Sequence, residues 1–440
     1  MADESIAIVG AGLAGCLLAT LLARRGLEVT VYERRADPRP AGAERGRSIN
    51  LAISARGLDA LQRVGLQEQS LGRALPMHGR MVHPIQGGES FRPYSADGRR
   101  AINSISRAEL NQSLLDAAES TPGVTLRFEH RLAELDLDKG RLRFETPSGA
   151  VDAHARIVLA SDGAYSAARR AVTFRPGFSF SQDYLAHGYK ELTIPARDGG
   201  FALDPDALHI WARGSSMMIA LPNLDRSFTC TLFWPDDDFA ALGTPEAVQA
   251  YFARHYRDVV DLMPSLTEDF AHNPVGSLVT VKCWPWVHDG DGSTLALVGD
   301  AAHAIVPFFG QGANCAFEDC LEIDRCLDEA DGNWAAALAR YEARRKANCD
   351  TIAELALENF VEMRDKVNSR VFQAKTAAQH ALERRIPHYV SRYELVSFTT
   401  MPYSQIPRRM RRQNLATTAV ATVAVVGAAL IARAAGRSRT

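Results

Sequence analysis

The sequence predicts an α/β chain: a parallel sheet with helices on its faces, a second and mostly antiparallel sheet, and a helical C-terminal region. Three observations predict it. An apolar strand, Ile6-Ala7-Ile8-Val9, runs into Gly10-Ala11-Gly12-Leu13-Ala14-Gly15 and then into a helical pattern over 13–25. Two more apolar strands, at 157–160 and 294–298, end in Ser161-Asp162-Gly163 and Gly299-Asp300. Between them, over 184–235, the texture changes to short strands separated by turn residues.

The first segment carries the most information. In a G-x-G-x-x-G turn, Gly10 allows the tight bend, Gly12 lets a pyrophosphate approach the backbone, and Gly15 lets helix and strand pack closely. The free N–H groups and the dipole of the following helix then favour an anion. Glu33 ends the next strand, Val29-Thr30-Val31-Tyr32, where it is placed to accept hydrogen bonds from a ribose. Glycines also close ordinary βα turns. Strand, helix and acid together point to a Rossmann-like dinucleotide site.

The elements follow in order. Gly26 stands just past the first helix. Residues 57–64 and 107–119 read as further helices, and 124–128, 141–144 and 157–160 as strands, so parallel βαβ units are mixed with a hairpin. Strands at 189–194, 208–211, 217–221 and 228–234 form the separate sheet. Helices are expected over 312–330 and 334–385. The first domain is therefore expected to be discontinuous, over 1–80, 104–172 and 290–333. Residues 81–103 and 173–289 form the antiparallel-sheet domain, 334–412 a helical region, and 413–440 a tail.

Each turn lies at the C-terminal end of a strand, where α/β sheets bind ligands. Asp300 can accept hydroxyl hydrogen bonds from a ribityl chain, or serve only as a helix cap. The helix opening at Gly310-Gln311-Gly312-Ala313-Asn314 can aim its positive end at an anionic ring edge.

Composition narrows the function. At 440 residues the chain holds two or three domains, and 46% hydrophobic with 23% charged residues is ordinary for a globular protein. A net charge of -2 argues against a nucleic-acid partner. The seven cysteines form no C-x-x-C pair, so neither a disulfide framework nor a metal site is expected, and the compartment reads as reducing. The first strand starts within a few residues of Met1, so no signal peptide is expected.

Three motifs, Gly10 to Gly15, Asp162-Gly163 and Gly299 to Pro307, match the FAD signatures of the FAD-dependent aromatic hydroxylases, the para-hydroxybenzoate hydroxylase-like flavoprotein monooxygenases. The chain resembles that family from about residue 5 to 405. Within it, the resemblance is to the branch acting on L-kynurenine. It is carried by Gly46-Arg47-Ser48-Ile49-Asn50-Leu51-Ala52, Gly79-Arg80-Met81-Val82-His83, Asn103-Ser104-Ile105-Ser106-Arg107, Gly188-Tyr189-Lys190-Glu191-Leu192, Leu208-His209-Ile210-Trp211, Ala220-Leu221-Pro222-Asn223, Pro307-Phe308-Phe309-Gly310-Gln311-Gly312 and Ala356-Leu357-Glu358-Asn359-Phe360.

The resemblance implies non-covalent FAD held by Gly10, Gly12, Gly15, Glu33, Arg107, Asp162, Asp300, Gly312 and Asn314. It implies NADPH and O2 as co-substrates and a C4a-hydroperoxyflavin whose distal oxygen goes to the ring carbon ortho to the aniline nitrogen. The chemistry is then borne by the flavin, and no side chain is expected as nucleophile or metal ligand. Arg80 and Tyr403 are implied for the substrate carboxylate, Asn359 for the amino-acid head, and Tyr94 and Phe309 as lining. Pro307, Phe308 and Phe309 are implied to lie between flavin and substrate. A guanidinium suits a carboxylate because it can bind it bidentately. His303 belongs to the turn motif and is not expected as a base. Two positions depart from the family: Phe309 replaces a frequent His, which takes a polar substrate contact out of the expected set, and Ala313 replaces a frequent Met. No second G-x-G-x-x-G opens a helix, so the nicotinamide donor is expected to bind transiently at a surface the sequence does not mark.

Two other classes use this fold: flavoproteins with other substrates, such as epoxidases, halogenases or different aromatic hydroxylases, and non-enzymatic binders. Arg80, Asn359 and Tyr403 favour an amino-acid carboxylate over a lipid. Finally, 415–432 is an uncharged run with arginines at 408, 409, 411 and 412 before it and at 433, 437 and 439 after it. It meets the length of a spanning helix, about 17–25 residues. It is expected either to anchor the chain with its catalytic part on the cytoplasmic face of a membrane, or to dock as a helix on the globular domain or on a partner chain of a cytoplasmic protein.

Overall fold

The computed structural model describes residues 5–40, 50–95, 97–366 and 389–415. Its first sheet has six strands in the order Val287–Asp289, Thr294–Leu297, Ile157–Ala160, Ile6–Val9, Val29–Tyr32, Val124–Arg127. All neighbours are parallel except the Val287–Asp289 edge pair. Thr294–Leu297 thus joins strands more than a hundred residues earlier in the chain.

Helix Leu13–Ala23 packs against strand Val29–Tyr32 and against helices Arg107–Glu119 and Gly312–Glu329. It is buried on almost every side, which explains why its sequence is apolar throughout rather than amphipathic. Helix Trp334–Val361 packs on Gly312–Glu329 and runs into a π-helical turn, Glu362–Lys366. The expected continuation to 385 lies outside the described residues.

The second sheet has seven strands in the order Gly276–Trp284, Ser179–Ile194, Phe228–Pro235, Ser216–Pro222, Ala207–Arg213, Gly79–Val82, Ser90–Pro93. It is antiparallel except where Gly79–Val82 pairs in parallel with Ala207–Arg213. Both faces are covered, and successive side chains point to opposite faces. Trp211 and Trp234 pack on the helices Pro245–His255 and Leu266–His272, with Phe252, Tyr256 and Phe270. Their neighbours Ile210 and Phe233 face the other way, toward Phe308, Phe360 and Met363.

Two three-stranded sheets complete the fold. Arg131–Asp136, Arg141–Thr146 and Gly149–His154 extend the expected hairpin by one strand. Ile102–Ser106 lies between Asn50–Ile53 and Leu75–Met77. No helix among the described residues is long and apolar enough to cross a membrane. All of the uncharged run except Leu415 lies outside them.

Candidate active site

A cavity of about 390 Å³ lies between the C-terminal ends of the parallel strands and the inner face of the seven-stranded sheet. That is within the usual size of small-molecule sites, roughly 300–1,000 Å³. One end is walled by backbone and small residues: Gly12, Leu13, Ala14, Ser161, Gly163, Asp300, Gly312 and Ala313.

The glycines there do different things. Gly10 has φ +102, and a Cβ on it would meet the Ser161 carbonyl oxygen at 2.7 Å. A Cβ on Gly15 would collide with the Gly10 carbonyl. Gly12 meets nothing within 4 Å and lines the cavity, as do Gly163 and Gly312. The helices beginning at Leu13 and Gly312 have no side-chain cap and no acid in the first turn, so their first N–H groups are open to an anion. Open glycines at uncapped helix starts fit the phosphates and anionic ring edge of a flavin dinucleotide. Arg107, the first residue of its helix, also lines the cavity and is solvent-exposed.

Three implied FAD residues sit behind this wall. Glu33 is buried; one oxygen accepts the Ala11 N–H at 3.0 Å and the other the Arg35 side chain at 2.9 Å. It ties the first turn in place and keeps lone pairs for a hydroxyl. Asp162 does not line the cavity; one oxygen accepts the N–H groups of Ala167 and Ala168 at 2.6 and 3.1 Å, and the other is unpartnered. Burial raises its pKa above the usual carboxylate range. Asn314 is fully buried; it accepts from the N–H groups of Ser54 and Gly57 and donates to the carbonyls of Ala52 and Gly310. It clamps the 52–57 segment to the helix start.

A buried charged network holds the Gly299–Asp300 turn. Asp319 accepts from the Gly299 N–H at 2.9 Å, from His303 Nε2 at 2.5 Å and from Arg345 Nε at 2.7 Å. Burial opposes its charge, but His303 and Arg345 hold its pKa below the usual range. Against the same burial, Asp319 and then Cys315 raise His303 to about 10. The network thus favours the charged form of His303.

The other end of the cavity is apolar, with one cation. Arg80 comes from strand Gly79–Val82, Tyr94 from just past strand Ser90–Pro93, and Phe308 and Phe309 from the turn Pro307–Phe309. Arg80 Nε and the Tyr94 hydroxyl are buried and have no hydrogen-bond partner. Burial, then the neighbouring Tyr393, raises the Tyr94 pKa well above the usual phenol range, so it stays a neutral donor.

Asn359 and Tyr403 do not line this cavity. Asn359 is buried and donates to the Phe308 carbonyl at 2.6 Å, shaping the wall from behind. Tyr403 is fully buried, gives its hydroxyl hydrogen to Gln311 Oε1 at 2.8 Å, and has the Arg56 guanidinium 3.8 Å over its ring. A tyrosine that was not among the expected residues, Tyr393, lines this apolar end beside Tyr94. It stacks on Tyr94 at 4.9 Å and on Phe309 at 5.8 Å, with Arg80 4.4 Å over its ring. The sequence does carry a signal for it: Ser391 and Glu394 form an S-x-x-E capping box, with Ser391 Oγ accepting the Glu394 N–H at 3.2 Å. That cap starts the short helix Arg392–Ser397, which presents Tyr393.

A Gly-rich dinucleotide turn, acidic turns on neighbouring strands and an apolar pocket with one anchored cation define an FAD-dependent aromatic hydroxylase. A family model described as an FAD binding domain matches residues 3–356. The chain is 48% identical over 407 residues to the kynurenine 3-monooxygenase of Myxococcus xanthus, covering 91% of this chain and 87% of that protein. It is 42% identical over 419 residues to that of Dictyostelium discoideum, covering 91% and 90%. The chain belongs to the kynurenine 3-monooxygenase family and is an FAD-dependent aromatic monooxygenase. Among solved structures, 2-methyl-3-hydroxypyridine-5-carboxylic acid oxygenase superposes with a TM-score of 0.67 at 20% identity, over 86% of this chain and 95% of that one. PqsL from P. aeruginosa, solved with 2-aminobenzoylacetate, also gives 0.67 at 20%, over 82% and 97%. At that identity the likeness is one of fold.

Proposed function

We propose that the chain hydroxylates L-kynurenine on the ring carbon ortho to its aniline nitrogen, consuming NADPH and O2. The observation that carries this reading is the pair of buried, unpartnered donors, Arg80 Nε and the Tyr94 hydroxyl, at the apolar end of the cavity. Buried donors need an acceptor, and an amino-acid carboxylate supplies one to both. The aromatic side chains around them suit an aromatic substrate.

FAD, once bound and reduced, supplies the activation of oxygen. The chain's own residues bind, orient and exclude water. The Gly10–Gly15 turn and the start of helix Leu13–Ala23 receive the pyrophosphate, Glu33 and Asp300 accept hydroxyls, and Arg107 and the helix start at Gly312 face the anionic ring edge. Arg80, Tyr94 and Tyr393 hold the substrate carboxylate. Phe308 and Phe309 close the wall against water, and Asn359 and the Tyr403–Gln311 pair keep that wall in place. The ring carbon is activated by the substrate's own amine, so no side chain need act as nucleophile.

The test is NADPH oxidation with and without L-kynurenine, with identification of the product. Rapid oxidation that depends on L-kynurenine and yields 3-hydroxykynurenine is expected. Oxidation that ignores L-kynurenine and yields no hydroxylated amino acid overturns the reading.

We infer in addition that 415–432 tethers the chain to a membrane with the catalytic part on the cytoplasmic side. Support comes from its uncharged length and from the arginines on either side. Removing everything after Arg412 is then expected to move the protein from the membrane to the soluble fraction without loss of FAD. A full-length protein that fractionates without detergent overturns the anchor.

A further inference from the structure

Helix Gly312–Glu329 lines the cavity with Gly312, Ala313 and Ala316 and carries Cys315 among its buried residues. There the Cys315 sulfur lies 3.6 Å from the sulfur of Cys349, on helix Trp334–Val361. Both residues are buried, and all seven cysteines are free thiols. The other five have no sulfur–sulfur contact among the described residues.

The surroundings of this pair are charged. Arg345 Nη2 donates to the Cys315 sulfur at 3.1 Å and to the Cys349 sulfur at 3.6 Å. A His303 ring nitrogen lies within 4.8 Å of both sulfurs. Asp319 holds the two cations in place from the far side, bonding His303 at 2.5 Å and Arg345 at 2.7 Å. The two sulfurs are therefore unequal. The Cys349 hydrogen bond, then Arg345 and His303, outweigh burial and hold the Cys315 pKa well below its usual range. Burial raises Cys349 well above it. The two sulfurs are in hydrogen-bond contact, with Cys315 favoured as the attacking sulfur and Cys349 as the resolving one. His303, Cys315 and Cys349 also have the spacing of a soft-metal site, but a guanidinium donating to both sulfurs opposes a divalent cation there.

We propose that Cys315 and Cys349 form an oxidation site, which hydrogen peroxide converts into a disulfide joining the two helices behind the flavin cavity. In the first step the Cys315 thiolate attacks one peroxide oxygen and the O–O bond breaks. Hydroxide leaves and takes the proton carried by His303, giving a sulfenic acid and water. In the second step the Cys349 sulfur attacks Cys315, its proton leaves with the displaced hydroxide as a second water, and the S–S bond forms. Two electrons pass from the thiols to one peroxide. Ala316, next to Cys315, lines the cavity, so a small neutral oxidant inside it is one residue from the reacting sulfur. Closing the bond removes the negative charge at Cys315 that faces Arg345 and His303, both of which stay bonded to Asp319, the side chain that holds the Gly299 N–H.

The experiment uses the FAD-loaded full-length protein and hydrogen peroxide. After treatment, free thiols are alkylated in denaturant and peptides are mapped without reduction. A Cys315–Cys349 cross-linked peptide is expected, with two of the seven thiols lost and recovered by dithiothreitol. Cys320, buried on the same helix with its pKa raised well above the usual thiol range, is expected to stay alkylatable. In Cys349→Ser the cross-link is expected to vanish and Cys315 to appear as a sulfenic or sulfinic acid. If that variant does not fold, the untreated and treated parent proteins carry the test on their own. Cys315 and Cys349 remaining alkylatable while surface methionines oxidise, Cys315 linked to any other cysteine, or a stoichiometric zinc or cadmium ion retained on the pair each overturns the proposal.

Discussion

The guanidinium carbon of Arg80 stands 4.4 Å from the centre of the Tyr393 ring, and Tyr94 stacks on that ring at 4.9 Å. A cation over an aromatic face is attracted by the ring quadrupole, so Arg80 is held in place before any acid arrives. Arg80 comes from one antiparallel strand pair, with Tyr94 just past its end, and Tyr393 from far along the chain, so this end of the cavity exists only when the two parts are assembled.

Tyr393 and Tyr403 are therefore expected to separate in kinetics. Tyr393→Phe removes a hydroxyl from the pocket and should raise KM about 2- to 12-fold, the equivalent of a neutral hydrogen bond. Arg80→Ala should weaken substrate binding about 10- to 150-fold, the range for a charge-assisted bond. Tyr403→Phe should leave KM unchanged and lower unfolding stability by about 0.5–1.5 kcal/mol, since its partner is Gln311. Steady-state kinetics and denaturant unfolding of the three variants check this. A larger KM change in Tyr403→Phe than in Tyr393→Phe would return the carboxylate to Tyr403.

Gly12→Val and Gly15→Ala should fail differently. The Gly12 Cβ position meets no protein atom within 4 Å, whereas that of Gly15 collides with the Gly10 carbonyl. Gly12→Val should fold with a near-parental melting curve and lose FAD. Gly15→Ala should lose stability as well, because its strand and helix must separate. Flavin absorbance per folded protein, read beside circular dichroism, tells the two apart.

Asn359 is expected to act on the wall and not on the substrate. Asn359→Ala strips the buried Phe308 carbonyl of its donor, which should cost about 1–3 kcal/mol of stability. Substrate affinity should change less than in Arg80→Ala, while more hydrogen peroxide escapes per NADPH as water reaches the flavin side of the wall. Peroxide and product yields measured together test this; a KM rise as large as that of Arg80→Ala would make Asn359 a direct ligand.

The His303–Cys315 pair sets a pH dependence whose sign can be worked out. His303 is raised from 6.5 to about 10, so its stabilisation is full below pH 6.5 and is lost as pH rises through about 10. Cys315 is lowered from 9.0, so its stabilisation is present above pH 9 and is lost as pH falls. A raised His303 loses stability as pH rises and a lowered Cys315 gains it, so between 6.5 and 9 the two slopes oppose each other. Cys315→Ser removes one side of that balance. Its unfolding free energy should fall as pH rises above 6.5, with the loss complete at a lower pH than the parent's His303 would give because the Cys315 contribution is gone, where the parent's dependence is flatter. Equal slopes in parent and variant would mean that the proton is not on His303.

The flavin end was legible in the sequence because its information is local. Gly10, Gly12, Gly15, Asp300 and Gly312 each sit in a short motif at a strand or helix end, and backbone conformation follows from a few adjacent residues. The substrate end was legible only in part. Arg80, Tyr94 and Phe309 line the cavity, but that Tyr393 reaches it while Tyr403 bonds Gln311 instead is a tertiary fact. Asp162 and Asn314 were visible as motif members, yet their use as a helix cap and a four-bond clamp depends on partners distant in space or sequence. Helices Pro245–His255 and Leu266–His272 went unread because their role is to cover Trp211 and Trp234, which the sequence presents only as strand residues.

The two ends of the cavity differ in how freely they can change over evolutionary time. Gly12, Gly163 and Gly312 offer bare main chain, which is the same in every variant as long as no side chain is added. Arg80, Tyr94 and Tyr393 offer side chains, and each can be exchanged by a single substitution. A lineage can therefore retarget the pocket while the cofactor end stays frozen. The solved structures at 20% identity share the fold. Recognition by backbone acts as the inherited part, and recognition by side chain as the part open to selection.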